Sequence, residues 1–234
     1  RQGAKALILC NPSNPCGKVF TYDELKIIAD LAIKYDAYVI TDEVYEHIVY
    51  APNKHIYMAS LPGMRERTIV CNSLSKTYSI TGWRLGYVIA NPQVIDRVKK
   101  VHDFLTVGAA APLMEAAVTG LKFGDDYYEG LAAHYTHMKE LFCGGLKNLG
   151  FTFTEPQGAY YVLMDVSEFG VKDDVKFCEW MTEHVGVAAV PGSSFFREDV
   201  HNLIRFHFAK KDETLNAALD NLATLRAKAD GFKE

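Results

Sequence analysis

No run of apolar residues in this 234-residue chain approaches the roughly 18 that a membrane-spanning helix needs. The opening stretch RQGAKALILC has neither the apolar core of a secretion signal nor an initiator methionine, so the sequence reads as an internal piece of a longer protein. Charge of one sign is missing too. Lys and Arg number 25 and Asp and Glu 29, scattered along the chain, for a formal charge of -4, which leaves no footprint for nucleic acid or an anionic membrane. The five cysteines, Cys10, Cys16, Cys71, Cys143 and Cys178, include no C-x-x-C pair, so reduced thiols in a cytoplasmic protein are expected. Neither a phosphate-binding P-loop nor a G-x-G-x-x-G run is present. His134, His137, Glu140 and Cys143 recur every three residues, a spacing that drifts by about 60° per step around a helix and does not converge on a metal. No metal is expected, and the partner is a small molecule or another protein.

What is there is an α/β chain, 49% hydrophobic and 23% charged, enough for one large or two modest domains. The run ALILC is a buried strand, stopped by the turn NPSNPCG. Thr21 and Glu24 form a capping box ahead of a helix with apolar residues at Leu25, Ile28, Ala29, Ala32 and Ile33. YVIT, ending at Asp42, and TIVC, ending at Asn72, are two more strands, and their alternation with crossover segments predicts a mostly parallel sheet. RLGYVIA follows after a loop too short for a parallel crossover and is expected to run antiparallel. Helices follow from about residue 93, the last from Tyr127 to Leu149 with Gly150 as its stop. Strands FTFT, AYYVLMDV, VAAV and LIRFHF then surround a helix over 174–185, and a last helix is expected with Asp212 as its N-cap. The domains expected are residues 1–135, part of a large α/β domain, and 136–234, a small α+β domain.

Chemistry concentrates where strands end. Asn14, Asp42 and Lys76 each sit in or just beyond a loop leaving the carboxyl end of an expected parallel strand, the edge at which open α/β sheets bind ligands. Asp42 alone reads rather as a loop carboxylate beside Glu43, and Lys76 and Arg84 reverse that preference. Lys76 lies in SLSKTYSITGWRLGY, which has small hydroxyls on both sides and no acidic residue. An ordinary lysine, with a pKa near 10.4, is about one part in 2,500 neutral at pH 7, so a reactive one must be brought down by about three pH units, about 4 kcal/mol. Desolvation and nearby cations do this and a carboxylate opposes it, so the neutral surroundings suit a Schiff-base lysine, as they would a plain surface loop. SLSK also satisfies the S-x-x-K pattern of serine β-lactamases and penicillin-binding proteins, but the Ser-x-Asn and Lys-Thr-Gly that must follow it are absent.

NPSNPCG, TDEVY, SLSKTYSITGWRLGY and LIRFHFA, in this order, resemble the pyridoxal-phosphate-dependent class I/II aminotransferases of fold type I, with supporting matches at PQGAYYVLMDV and VPGSSFF. The resemblance covers nearly the whole chain. It implies the C-terminal part of the fold type I large domain, a mostly parallel sheet with one antiparallel strand, followed by the small α+β domain, with the N-terminal half of the cofactor domain upstream. It implies pyridoxal 5'-phosphate as cofactor, an amino acid and a 2-oxo acid as substrates, and a homodimer, with no nucleic-acid or membrane partner. Lys76 would take the cofactor aldehyde and shuttle the proton. Asp42 would pair with the pyridine nitrogen, and Tyr45 and Asn14 would hydrogen-bond the ring oxygen. Ser73 and Arg84 would hold the phosphate, and Arg205, with Asn14 beside the substrate, would clamp the α-carboxylate. Cys16 stands where many relatives carry threonine. Alone, the chain is expected to be inactive. Two rivals share the motifs: a carbon-sulfur β-lyase of the same fold, and the aminotransferase-like effector domain of a transcription regulator.

Overall fold

The computed structural model describes residues 3–232. The chain falls into two compact units, Arg1–Ser13 with Lys18–Ala132, and Asn14–Gly17 with Ala133–Glu234.

The first unit is built on a four-stranded sheet of order β1-β2-β3-β4. Strands β1 (Ala6–Cys10), β2 (Tyr38–Asp42) and β3 (Thr68–Ser73) are parallel, and β4 (Gly86–Ile89) runs antiparallel to β3, as the short loop before it requires. Helix α1 (Tyr22–Lys34) makes the crossover from β1 to β2. Its capping box is complete: Thr21 Oγ1 accepts from the Glu24 N–H and Glu24 Oε2 from the Thr21 N–H. Leu25, Ala29 and Ala32, at helical spacing, are its buried stripe and cluster with Leu9, Val39, Met58, Leu61 and Met64.

That cluster covers one face of the sheet. The other carries Ile8, Ile40 and Ile69 in register across β1, β2 and β3, and Ile8 is 75% exposed. Strands β1 and β4 are the sheet's two open edges. After the four-residue helix α2 (Leu74–Thr77) come α3 (Pro92–Leu105), capped by the Asn91 side chain, and α4 (Ala111–Leu121). No residue of α3 is buried, and Phe104 is 91% exposed.

Helix α5 (Asp125–Asn148) contains the division between the units. It stops at Gly150, whose φ of +77° is the left-handed conformation glycine adopts without cost. The Gly150 N–H donates to the Lys147 carbonyl and the Phe151 N–H to that of Leu146, the paired bonds of a Schellman ending.

The second unit has an antiparallel sheet of order β5-β7-β6: β5 (Tyr161–Asp165), β6 (Val190–Pro191) and β7 (Leu203–His207). Helix α6 (Asp174–His184) supplies Phe177 and Met181 to its core, α7 (Asp212–Leu222) supplies Leu215 and Leu222, and the short α8 (Leu225–Ala229) supplies Leu225. Phe142 of α5 meets Phe206 of β7 edge to face at 5.7 Å. On β7, Ile204 and Phe206 are buried and Arg205 and His207 lie on the other face, the two-residue alternation of a strand.

Several expectations need correction. FTFT is no strand: it contributes one bridge, Phe153 to Met164. VAAV is not a strand over its length: only its last residue, Val190, pairs, and with Pro191 it makes the two-residue β6. RLGYVIA begins its strand only at Gly86, and Arg84 is left-handed, with φ of +57°. Asp212 is not the N-cap of α7: Lys211 is, without a side-chain bond, and Asp212 lies in the first turn, where its charge suits the helix dipole. No helix among the described residues is long and apolar enough to cross a membrane.

Candidate active site

The residues singled out from the sequence fall in two sets, one in each unit. In the first unit they gather at the carboxyl edge of the parallel strands. Asp42 ends β2, in register with Cys10 of β1 and Cys71 of β3. It is exposed, and its Oδ1 accepts from the Val44 N–H at 3.3 Å, closing an Asx turn that starts the following segment. Tyr45, three residues on, is buried at 3% exposure. Burial and the nearby Asp42 carboxylate push the Cys71 thiol up, which keeps it protonated.

Ser73 ends β3 and caps α2, accepting from the Ser75 N–H at 3.1 Å and donating to the Leu85 carbonyl at 3.0 Å. Lys76, half-buried on α2, lies between buried Ser75 and Thr77. The chain then returns through Ser79 and Arg84, both left-handed at φ of +55° and +57°, on either side of a 3-10 turn over Thr81–Trp83. Left-handed backbone at two non-glycine residues costs of order 1 kcal/mol each and persists where the surroundings fix it, commonly at binding sites. Arg84 is exposed and donates through Nη1 to the Thr81 carbonyl at 2.9 Å. Gly86, two residues later, pairs with Ser73, so Arg84 returns to the same edge of the sheet.

Behind Asp42 and Tyr45 lies a network the sequence did not announce. His55 Nε2 is 2.8 Å from Glu43 Oε2, with side chains 5% and 1% exposed. Glu46 Oε1 accepts from Asn72 Nδ2 at 2.6 Å. Burial and the Glu46 and Glu43 carboxylates push the Tyr87 phenol up to about 12, and Tyr57 is raised by the same causes. Glu43, Glu46 and His55 bring their ligand atoms within 4.8 Å of one another. The direct Glu43–His55 bond and the Asn72 bond make this a hydrogen-bonded pin for the segment that carries Asp42 and Tyr45. The only sequence signal was a histidine entering the apolar run HIYM, with nothing to tie it to Glu43 twelve positions earlier.

In the second unit, Arg205 Nη1 donates to Asn14 Oδ1 at 2.7 Å. The Arg205 guanidinium carbon lies 4.3 Å from the ring centre of Tyr161 and 4.6 Å from that of Phe195, a double cation-π stack. Its Nε is buried and has no hydrogen-bond partner among the described residues. A buried guanidinium donor left open is costly unless an acceptor arrives, and a carboxylate matches the fork of Nε and Nη. Asn14, Arg205, Tyr161 and Phe195 thus form one anion-receptive cluster.

The five cysteines are free thiols, and burial pushes Cys143 and Cys178 up to about 12, so neither supplies a thiolate nucleophile. His134 and His137 are exposed on α5, and His137 Nε2 is bonded to Asp212 at 2.8 Å.

The aminotransferase class I and II family model matches residues 1–222. The chain belongs to that family. It is 39% identical over 234 residues to human kynurenine–oxoglutarate transaminase 3, covering 92% of this chain and 52% of that protein. With the methionine aminotransferase of Escherichia coli (strain K12) it shares 34% identity over 222 residues, covering 94% and 58%. Among solved structures, N-succinyldiaminopimelate aminotransferase from Mycobacterium tuberculosis superposes with a TM-score of 0.90 at 34% identity, covering 94% of this chain and 58% of that one. The fold is therefore that of the aminotransferases, and the chain spans about half the length of the curated relatives it matches. The family is one of pyridoxal-phosphate-dependent enzymes.

Proposed function

We propose that the chain is the C-terminal portion of a pyridoxal-phosphate-dependent aminotransferase that moves an amino group between an amino acid and a 2-oxo acid. The observation that carries this reading is the delivery of Asp42, Ser73, Lys76 and Arg84 to one edge of the sheet by neighbouring strands, with strained backbone at Ser79 and Arg84. The donor set fits the cofactor: an amine for its aldehyde, a carboxylate for its pyridine nitrogen, and a guanidinium with hydroxyls for its phosphate. When bound, pyridoxal phosphate supplies an electron-withdrawing ring that takes up the electron pair of a deprotonated α-carbon.

In this reading Lys76 would hold the cofactor through its Nζ and would serve as the base that moves the α-proton. Asp42 keeps the pyridine nitrogen protonated, and the pinned segment behind it fixes the carboxylate's direction. Tyr45 and Asn14 would be the donors to the ring oxygen. Arg84 and Ser73, whose hydroxyl donates to the Leu85 carbonyl, would hold the phosphate. Arg205, stacked between Tyr161 and Phe195, accepts the substrate α-carboxylate. The domains are read as 1–135 and 136–234, and the protein as a cytoplasmic homodimer, a setting that free thiols suit. By itself the 234-residue span does not turn over, since it has about half of a relative's length.

Lys76→Ala in the full-length protein tests the reading. The visible absorbance of the lysine-bound cofactor and transamination are both expected to disappear, while the secondary structure seen by circular dichroism stays. An unchanged cofactor spectrum in that variant refutes the assignment of Lys76.

A further inference from the structure

Asp174 is a carboxylate with a fully buried side chain, and the capping of α6 does not need it. The N-cap is Asp173, whose Oδ1 accepts from the Lys176 N–H at 3.1 Å. Both oxygens of Asp174 face out of the helix. Oδ2 accepts from the Ser193 N–H at 2.8 Å, and Oδ1 is bonded to His201 Nδ1 at 2.9 Å. One carboxylate therefore ties both ends of the segment from Ser193 to His201. The outer nitrogen of His201 is bonded in turn to the exposed Asp199, at 2.7 Å.

Within that segment lies Phe195, one of the two rings stacked on Arg205. The turn that carries it, Gly192–Phe195, is fastened on a second side: a Cβ on Gly192 would overlap the Leu203 carbonyl, so the turn lies directly against β7 two residues before Arg205. Glycine contact with β7 at position 192 and the Asp174 bond at position 193 leave the turn little freedom, and Phe195 follows two residues later.

We propose that Asp174 is a positioning residue for the substrate-carboxylate site: by holding the Gly192–Phe195 turn, it fixes the ring that stacks on Arg205 and so sets the direction of the guanidinium. This deepens the reading that Arg205 receives the α-carboxylate and rests on it. Asp174 touches no substrate. Its effect is on binding, equal in ground and transition states, and therefore on KM.

The test compares Asp174→Ala, Asp174→Asn, His201→Gln and Arg205→Lys in the full-length holoenzyme. The best donor is taken from a panel of L-amino acids and set against the amine formally derived by removing its carboxylate. Asp174→Ala is expected to raise KM for the amino acid by about tenfold or more with kcat within about twofold, and to lower the preference for amino acid over amine by the same factor. Asp174→Asn, whose amide oxygen still accepts from Ser193, and His201→Gln should fall between Asp174→Ala and the parent, and they carry the test if the alanine variant does not fold. The cofactor absorbance should not change in any of the three. If Arg205→Lys erodes the preference while folded Asp174 variants leave KM and preference within twofold, Asp174 is only structural and the proposal fails with the Arg205 reading intact. A loss of kcat at constant KM overturns it as well. If Arg205→Lys leaves the preference unchanged, the Arg205 reading fails, and this proposal with it.

Discussion

Replacing His55 by alanine should destabilise the first unit by about 3 kcal/mol. Glu43 is 1% exposed; its Oε1 already has no hydrogen-bond partner among the described residues, and the substitution takes His55 from its Oε2. A buried polar group stripped of its partner costs about 1–3 kcal/mol, and removing one member of a buried acid–base pair costs 3–5, so the boundary of the two ranges is the expected value. For a unit of roughly 130 residues the entropy of unfolding is about 0.27 kcal/mol/K, which converts the loss to a fall of about 10 °C in Tm. The chain's two tryptophans, Trp83 and Trp180, lie in different units, so in a Trp180→Phe background tryptophan emission reports on the first unit alone. Emission followed through a urea titration gives the free energy. The double variant Glu43→Met with His55→Leu replaces both polar groups with apolar ones and should return to within about 1 kcal/mol of the parent. A single substitution costing less than about 1 kcal/mol, or a double variant whose loss equals the sum of the singles, would refute a pairing that matters. Because Asp42 and Tyr45 share the segment that Glu43 pins, the same variant should loosen the carboxylate assigned to the cofactor nitrogen.

Two further outcomes are expected. Hydrogen bonds to Asp174 and Asp199 hold His201 above the usual imidazole value; burial pulls Asp174 up, but bonds from Ser193 and His201 outweigh it and hold it below the usual carboxylate value. A raised histidine contributes stability below about pH 6.5 and loses it as pH rises through its folded value, and a depressed aspartate contributes above about pH 4 and loses it as pH falls through its own. The second unit's melting temperature, read from Trp180 in a Trp83→Phe background, should therefore peak between those limits, and His201→Gln should remove the alkaline fall and, by taking away one of the bonds that depress Asp174, lessen the acid one; a flat profile would contradict the pairing. The row of Ile8, Ile40 and Ile69, with open edges at β1 and β4, should make the isolated 234-residue chain self-associate. Ile8→Lys, at a position 75% exposed, should shift sedimentation towards the monomer with little change in melting temperature, and an unchanged distribution would remove this face as the cause.

The legible parts of the fold were those governed by local rules. The apolar runs ending at Cys10, Asp42 and Asn72 became parallel strands, Thr21 and Glu24 closed their capping box, and the short loop after Lys76 made β4 antiparallel. Where tertiary contact decides, the sequence misled. FTFT has the alternation of a strand, yet only Phe153 pairs, and Arg84 heads an apolar strand-like run but turns left-handed to come back beside Ser73. In the candidate site, the edge residues were legible because strand ends are. The Glu43–His55 pin and the Asp174–Ser193–His201 tie were not, since each joins residues far apart in sequence whose burial no periodicity reveals.

The stack of Tyr161, Arg205 and Phe195, with Asn14 on the guanidinium edge, has a consequence for the entropy of binding. A free arginine carries about 2 kcal/mol of rotamer entropy, most of which a flexible receptor surrenders when an anion docks. Here that freedom is already lost when the unit folds. A carboxylate reaching Arg205 meets a rigid, oriented fork, and more of the energy of its two hydrogen bonds remains as affinity.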